Sequence, residues 1–278
     1  MSADFLTDSQ VQNYGRYAAE PNEVQLARYF HLDERDLDFV NHRRGRHNRL
    51  GIALQLTTAR FLGTFINDAM QIPAGVRHYV AAQLGIPRPE ILSRYAQREN
   101  TRWEHHALIR QHYGYHDFGD QPWSFRLKRL LYVRAWLSNE RPGLMFDFAT
   151  AWLLQHKVLL PAASTLTRII GEIRERANRR LWRKLASLPD SWQTAQLAGL
   201  LEIPEGQRMS VMEQLRKGPV TVSGPSFTEA LERYTRLRNL EFSRLNFSGL
   251  PAIQLRNLAR YAGMASARYI ARMPEARR

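Results

Sequence analysis

The chain has 278 residues, no cysteine, and 40 Lys+Arg against 26 Asp+Glu, a formal net charge of +14. That length allows two or three compact domains with real cores, and the lack of cysteine excludes disulfides and thiolate metal or redox sites. Most of the basic side chains are arginine, whose planar fork suits phosphates and guanine edges, so the charge points to a polyanion, with nucleic acid ahead of a membrane surface.

The N-terminal Met-Ser-Ala-Asp-Phe-Leu-Thr-Asp carries acids and no long apolar run, which argues against a signal peptide. No uncharged apolar stretch reaches membrane-spanning length, so a cytoplasmic protein is expected, nucleoid-associated when bound. Helical periodicity recurs almost everywhere, and the best strand candidate is the short Val220-Thr221-Val222 between Gly-Pro pairs. The expected fold class is all-α: a multidomain helical protein with helix-turn-helix-like DNA-binding units.

Residues 1–88 read as a first helical domain. Short helices are expected at Glu23 to Phe30 and Glu34 to His42, followed by a helix over Arg44 to Leu62. In that helix Leu50, Ala53, Leu54, Thr57 and Phe61 line one face and Ile52 and Leu56 lie opposite, which predicts a central, buried element. Pro73 opens a helix at Ala74 to Leu84, and Gly85-Ile86-Pro87-Arg88-Pro89 marks the boundary. This segment is charge-neutral to residue 87, with 9 basic and 9 acidic side chains. Arg43, Arg44, Arg46 and Arg49 nevertheless cluster just before and inside the central helix.

Residues 89–188 read as a second domain, and residues 88–184 concentrate the charge, 18 basic against 9 acidic. Helices are expected at Ile91 to Arg98, Trp103 to His112, Ser124 to Asn139, Phe146 to His156 and Ser164 to Leu185. The last places Leu166, Ile169, Ile170, Ile173, Ala177, Leu181 and Leu185 in one stripe, with Arg168, Arg176, Arg179 and Arg183 on the far side. Val158-Leu159-Leu160-Pro161 forces a break before it. Helix, tight turn and basic helix make a candidate helix-turn-helix whose second helix enters a major groove. The competing reading is a solvated face with Glu172–Arg176 and Glu175–Arg179 pairs, which leaves Arg168, Arg174, Arg180, Arg183 and Lys184 unmatched. Residues 189–278 read as a third helical segment, a linker or scaffold, with helices at Ser191 to Leu201, Gln207 to Lys217, Ser226 to Leu245 and Ala252 to Ala271.

Catalytic signatures are missing: no Gly-Lys-Ser/Thr phosphate loop, no Gly-x-Gly-x-x-Gly, no Gly-x-Ser-x-Gly elbow and no His-Glu-x-x-His. Glu104, His105, His106, His112 and His116 resemble a metal cluster only in composition. Gly114 interrupts the helix that would align the last two, and they read as aromatic-loop histidines; no metal site and no cofactor is assigned. Acids such as Asp36/Asp38 and Asp117/Asp120 sit where helix capping explains them. Trp123, Phe125, Tyr132 and Trp136 among basic residues offer a base-stacking platform, but the spacing of the last three is core spacing, which favours packing.

Two contact sets follow. Arg168, with Ser164, Thr165 and Thr167 in the first turns of the basic helix, is placed for base edges, because a recognition helix reads through its N-terminal residues. Arg174, Arg176, Arg179, Arg183 and Lys184 are placed on phosphates. Arg43, Arg44, Arg46, His47, Asn48 and Arg49 form the second set.

The run Arg43-Arg44-Gly45-Arg46-His47-Asn48-Arg49-Leu50-Gly51-Ile52-Ala53-Leu54-Gln55-Leu56, followed by Arg60-Phe61-Leu62-Gly63, resembles the N-terminal region of replicative transposases of the Tn-three family. Leu26-Ala27-Arg28-Tyr29-Phe30-x-Leu32, Leu159-Leu160-Pro161-x-x-Ser164-Thr165-Leu166 and Leu200-Leu201-Glu202-Ile203-Pro204-Glu205-Gly206 match in order and spacing. The resemblance covers nearly the whole chain. It implies helical domains that grip terminal inverted repeats on double-stranded DNA, and a possible homodimer within a full transposase. The RNase H-like catalytic domain, with its divalent metal, would lie further toward the C-terminus, so this chain is not expected to be an enzyme. Two alternatives stay open: a non-catalytic DNA-binding regulator or inhibitor of transposition, and a helical protein-interaction scaffold whose arginines are only solvated surface.

Overall fold

The computed structural model describes residues 5–96, 99–218, 221–274 and 277. Among them the chain is all-α: fifteen α-helices and no strand. Val220 of the strand candidate lies outside the described residues, and Thr221 and Val222 are not in a strand. No helix among the described residues is long and apolar enough to cross a membrane. The chain divides into two compact units, residues 1–131 with 141–171, and residues 132–140 with 172–278.

The first unit is built on a central helix. Helices α1 (Asp8–Asn13), α2 (Glu23–Gln25) and α3 (Glu34–Asn41) lead to α4 (Arg46–Leu62), followed by α5 (Ala74–Gln83), α6 (Leu92–Ala96), α7 (Glu99–Tyr113), the start of α8 (Trp123–Leu137), α9 (Pro142–Gln155) and the start of α10 (Ala163–Ala186). Every residue of α4 from Leu50 to Ala59 is buried, as its two-sided apolar pattern predicts. Gly51 is required there: a Cβ would lie 2.5 Å from ring atoms of Tyr95 on α6. Buried Gln55 holds both backbone groups of Ile66, donating to its carbonyl (2.7 Å) and accepting from its N–H (3.0 Å), so a loop without secondary structure leaves no orphan there.

Asp36 of α3 is almost fully buried between Arg60, which donates to both carboxylate oxygens at 2.5 and 2.7 Å, and the Tyr113 hydroxyl at 2.7 Å. Burial opposes ionisation, but the Arg60 and Tyr113 hydrogen bonds outweigh it and hold the carboxyl below its ordinary range. Asp36 also caps α3 reciprocally with Asp33, so the capping expected from sequence is only part of its role.

Several elements differ from the sequence reading. The first core does not close at residue 88: Leu92, Tyr95, Ile109 and Tyr113 belong to it. The Pro89–Ile91 turn folds the chain back onto α4 rather than ending a domain. Leu26–Phe30 is a π-helical turn after the short α2, and α1 was not anticipated, although Thr7 and Gln10 form the capping box that signals it. The connection from α9 to α10 is a seven-residue segment, 156–162, longer than a helix-turn-helix turn. It is pinned on two sides: Leu159 N–H donates to His116 O (2.8 Å), and Leu160 N–H to Gly63 O (2.8 Å) at the end of α4.

The second unit comprises the end of α8, the rest of α10, and α11 (Ser191–Gly199), α12 (Val211–Arg216), α13 (Gly224–Asn239), α14 (Ala252–Met264) and α15 (Ala267–Ala271). Ile173, Ala177, Leu181, Leu240 and Ala267 are buried in it. Side chains also tie its helices together through backbone carbonyls. Gln254 donates to Ala135 O (3.2 Å) and Ser138 O (2.9 Å), and Arg216 to Ala262 O (2.7 Å) and Ala265 O (2.6 Å). Helix α12 starts at Val211 rather than Gln207 because Ser210 and Glu213 close a capping box. The long helix expected to Leu245 stops at Asn239, where Glu241 adopts a left-handed φ of 51°. The last helix is split between Met264 and Ala267.

Candidate nucleic-acid interface

The first basic cluster surrounds the start of α4. Gly45 precedes the helix at φ 83°, a conformation open to glycine and strained for other residues. Asn48 Nδ2 donates to Arg44 O (2.9 Å) and Arg49 Nε to Arg43 O (3.0 Å), so these two side chains brace the turn from inside. The Arg43 guanidinium lies over the Phe39 ring, 5.5 Å from its centroid. His47 is half-buried, while Arg44 and Arg46 stand exposed with no acidic partner among the described residues. Of the six sequence-selected residues, the structure turns Arg44 and Arg46 outward and uses Arg43, Asn48 and Arg49 to fix them.

The second cluster is on α10, whose apolar seam follows the sequence pattern: Leu166, Ile169, Ile170, Ile173, Ala177 and Leu181 are buried. At the helix start, in the first unit, Ser164 and Arg168 are exposed and Thr165 is half-buried. Thr167 Oγ1 donates back to Ser164 O (3.0 Å), which leaves the hydroxyl oxygen as an acceptor.

Further along, in the second unit, the arginines divide. Arg180 lies over Trp136 at 4.7 Å and donates to the Tyr132 hydroxyl (3.1 Å), and Arg176 lies over the Tyr132 ring at 5.8 Å. Arg179 pairs with Glu175 at 2.9 Å, both side chains largely exposed, an arrangement worth only about 0.3–0.5 kcal/mol. Burial pushes the Arg174 pKa down. Arg183 and Lys184 are exposed with no acidic partner among the described residues.

The Arg176/Arg180 stack was not anticipated. Its signal was present: Tyr132 and Trp136 are four apart, as are Arg176 and Arg180, which puts each pair on one helix face. Phe125 departs from the packing expectation, being 61% exposed, because Leu127 and Leu131 take the buried seam of α8. A one-residue change of face decides that, and spacing alone did not reveal it.

The histidines go to aromatic packing. His105 stacks with Tyr95 at 5.4 Å, His106 lies nearly parallel to Phe65 at 4.1 Å, His112 stacks on Phe39 at 4.6 Å, and His116 sits against Trp123 at 4.9 Å. Burial, with the neighbouring charge of Arg43 for His105 and of Arg102 for His106, pushes both pKa values down to about 4. At neutral pH these two imidazoles are uncharged core groups.

A family model described as "Domain of unknown function (DUF4158)" matches residues 5–173, a span containing both clusters except the C-terminal half of α10. The chain belongs to this family, the N-terminal region of Tn-three transposases. It is 77% identical over all of its 278 residues to the transposase for transposon gamma-delta of Escherichia coli (strain K12). It is 29% identical over 259 residues, 92% of the chain, to the transposase for transposon Tn1546 of Enterococcus faecium. With the transposase for transposon Tn3926 of Escherichia coli it shares 31% identity over 210 residues, 75% of the chain. The chain spans 28%, 26% and 21% of the lengths of these three transposases, respectively.

Proposed function

We propose that this chain binds double-stranded DNA as the gripping part of a transposase, with transposon terminal inverted repeats as its specific sites and the strand chemistry carried by other parts of the full protein. The observation that carries this reading is the outward arginine edge of α10, on a chain related to transposases along its whole length. On that edge Arg183 and Lys184 have no acidic partner among the described residues and Arg179 has only the weak exposed pair with Glu175, so these cations can displace counterions from a phosphate.

The two sets take different shares. Arg168, with Ser164, Thr165 and Thr167, meets base edges from the start of α10. Arg174, Arg176, Arg179, Arg183 and Lys184 meet phosphates, with Arg176 steadied on Tyr132. At the start of α4, Arg44 and Arg46 reach a second stretch of backbone while Arg43, His47, Asn48 and Arg49 hold the turn that presents them. Competition binding at physiological salt tests the reading: an inverted-repeat duplex should bind at least about a thousandfold more tightly than a scrambled duplex of equal length. Equal affinity would leave the arginines as a solvated or non-specific surface.

A further inference from the structure

The first unit contains a half-open cavity of ≈ 730 Å³ that is lined by no arginine of either basic cluster. It lies between the segment after α1, the loop after α4 and the start of α10, and its walls include Arg16, Tyr14, Phe65, Asn67, Gln71 and Ser164. Tyrosine and phenylalanine rings supply apolar wall, two side-chain amides supply donors, and the one charged lining residue is a cation. A cavity with that lining suits a sugar-phosphate unit: the anion pairs with the cation, the sugar lies against apolar surface, and amides reach ester oxygens.

Arg16 is held ready for such a ligand. On one side the Tyr14 ring packs on Phe146 at 5.1 Å; on the other the Tyr17 hydroxyl bonds Thr58 Oγ1 at 2.8 Å and its ring stacks on Phe61 at 5.8 Å. Gly15 between them turns at φ 66°, its Cβ position only 3.2 Å from Thr64. The backbone at Arg16 is therefore fixed between two anchored rings, while the residue is exposed and its side chain has no acidic partner among the described residues. Arg60, Arg110 and Arg134, by contrast, each pair with a carboxylate.

We infer that this cavity seats one sugar-phosphate unit of the DNA strand passing the start of α10, with Arg16 as the phosphate ligand and Asn67 and Gln71 as flanking donors. The inference rests on the DNA-binding reading. Ser164 belongs to both the proposed base-reading set and the cavity wall, so a duplex contacted there would pass beside the cavity. The contact fixes register and carries no base preference.

Salt-dependent binding of the full chain to inverted-repeat and scrambled duplexes tests it, with wild type, Arg16→Gln and Arg28→Gln compared. Arg28 is another exposed arginine of the same unit, its guanidinium over the Tyr29 ring at 5.2 Å, and it does not line the cavity, so its loss controls for net charge. Arg16→Gln should reduce the log-log salt slope by about 0.9 and weaken both duplexes by about eightfold at 0.1 M salt, the factor one phosphate contact supplies. Arg28→Gln should leave the slope unchanged. A scan with single methylphosphonate linkages should find one neutral position that weakens wild type and leaves Arg16→Gln unaffected. If Arg16→Gln behaves as Arg28→Gln does, or if the scan shows no such position, the cavity is not a backbone seat although DNA binding stands. Failure of wild type to bind either duplex would remove the DNA-binding reading and this inference together.

Discussion

Helices α4 and α10 both carry arginines on an apolar framework, but the two treat them differently. Helix α4 is buried on all sides from Leu50 to Ala59, so its cations are confined to its two ends: Arg46 and Arg49 at the start, and Arg60 near the finish against buried Asp36. Helix α10 buries one stripe and leaves its opposite edge open along more than four turns. Partners separate structural from available arginines. Arg60 has a carboxylate and Arg180 has Trp136, so both belong to the fold, whereas Arg44, Arg46 and Arg183 face no acid among the described residues.

That contrast predicts steep losses in the α4 region and small ones at α10. Leu54→Ala deletes a fully buried side chain from the central helix and should cost about 2–5 kcal/mol in denaturant unfolding. Asp36→Asn removes the carboxylate that Arg60 donates to. It should cost about 3 kcal/mol, the low end for a broken buried pair, because Arg60 keeps a quarter of its side-chain surface in water.

Acid should act on the same region. His105 and His106 protonate only near pH 4 in the folded chain, against about 6.5 when unfolded, so the unfolded state binds more protons between those values. Stability is therefore full above pH 6.5 and falls as pH drops toward 4, and His106→Leu should make that fall shallower in thermal melts. Smallest is Arg180→Lys, which loses the planar stack on Trp136 and should cost about 0.5–1 kcal/mol, with a change in tryptophan emission.

What was legible in the sequence follows the same division. The buried seam of α10 and the central position of α4 could be read because helical periodicity reports burial directly. Contacts distant in sequence left weaker traces: Arg60 reaches Asp36 across 24 residues, Tyr113 reaches it across 77, and Arg180 reaches Tyr132 across 48. Periodicity marks Asp36 as the polar start of a helix and cannot show that the rest of the unit closes over it. The expected boundary at residue 88 has the same origin. Two prolines and a glycine signal a turn, but only the packing of Tyr95 against Gly51 shows that the chain turns back into the same core. The cavity beside Arg16 had no local signature, since its walls come from three separate segments.

The most direct measurement is the salt dependence of inverted-repeat binding for wild type and for an Arg179→Gln/Arg183→Gln variant. If the open edge of α10 holds DNA backbone, the double substitution lowers the log-log slope by about 1.8, two phosphate contacts at about 0.9 each, and weakens inverted-repeat and scrambled duplexes alike. An unchanged slope in a variant with wild-type thermal stability would contradict the assignment of that edge to DNA.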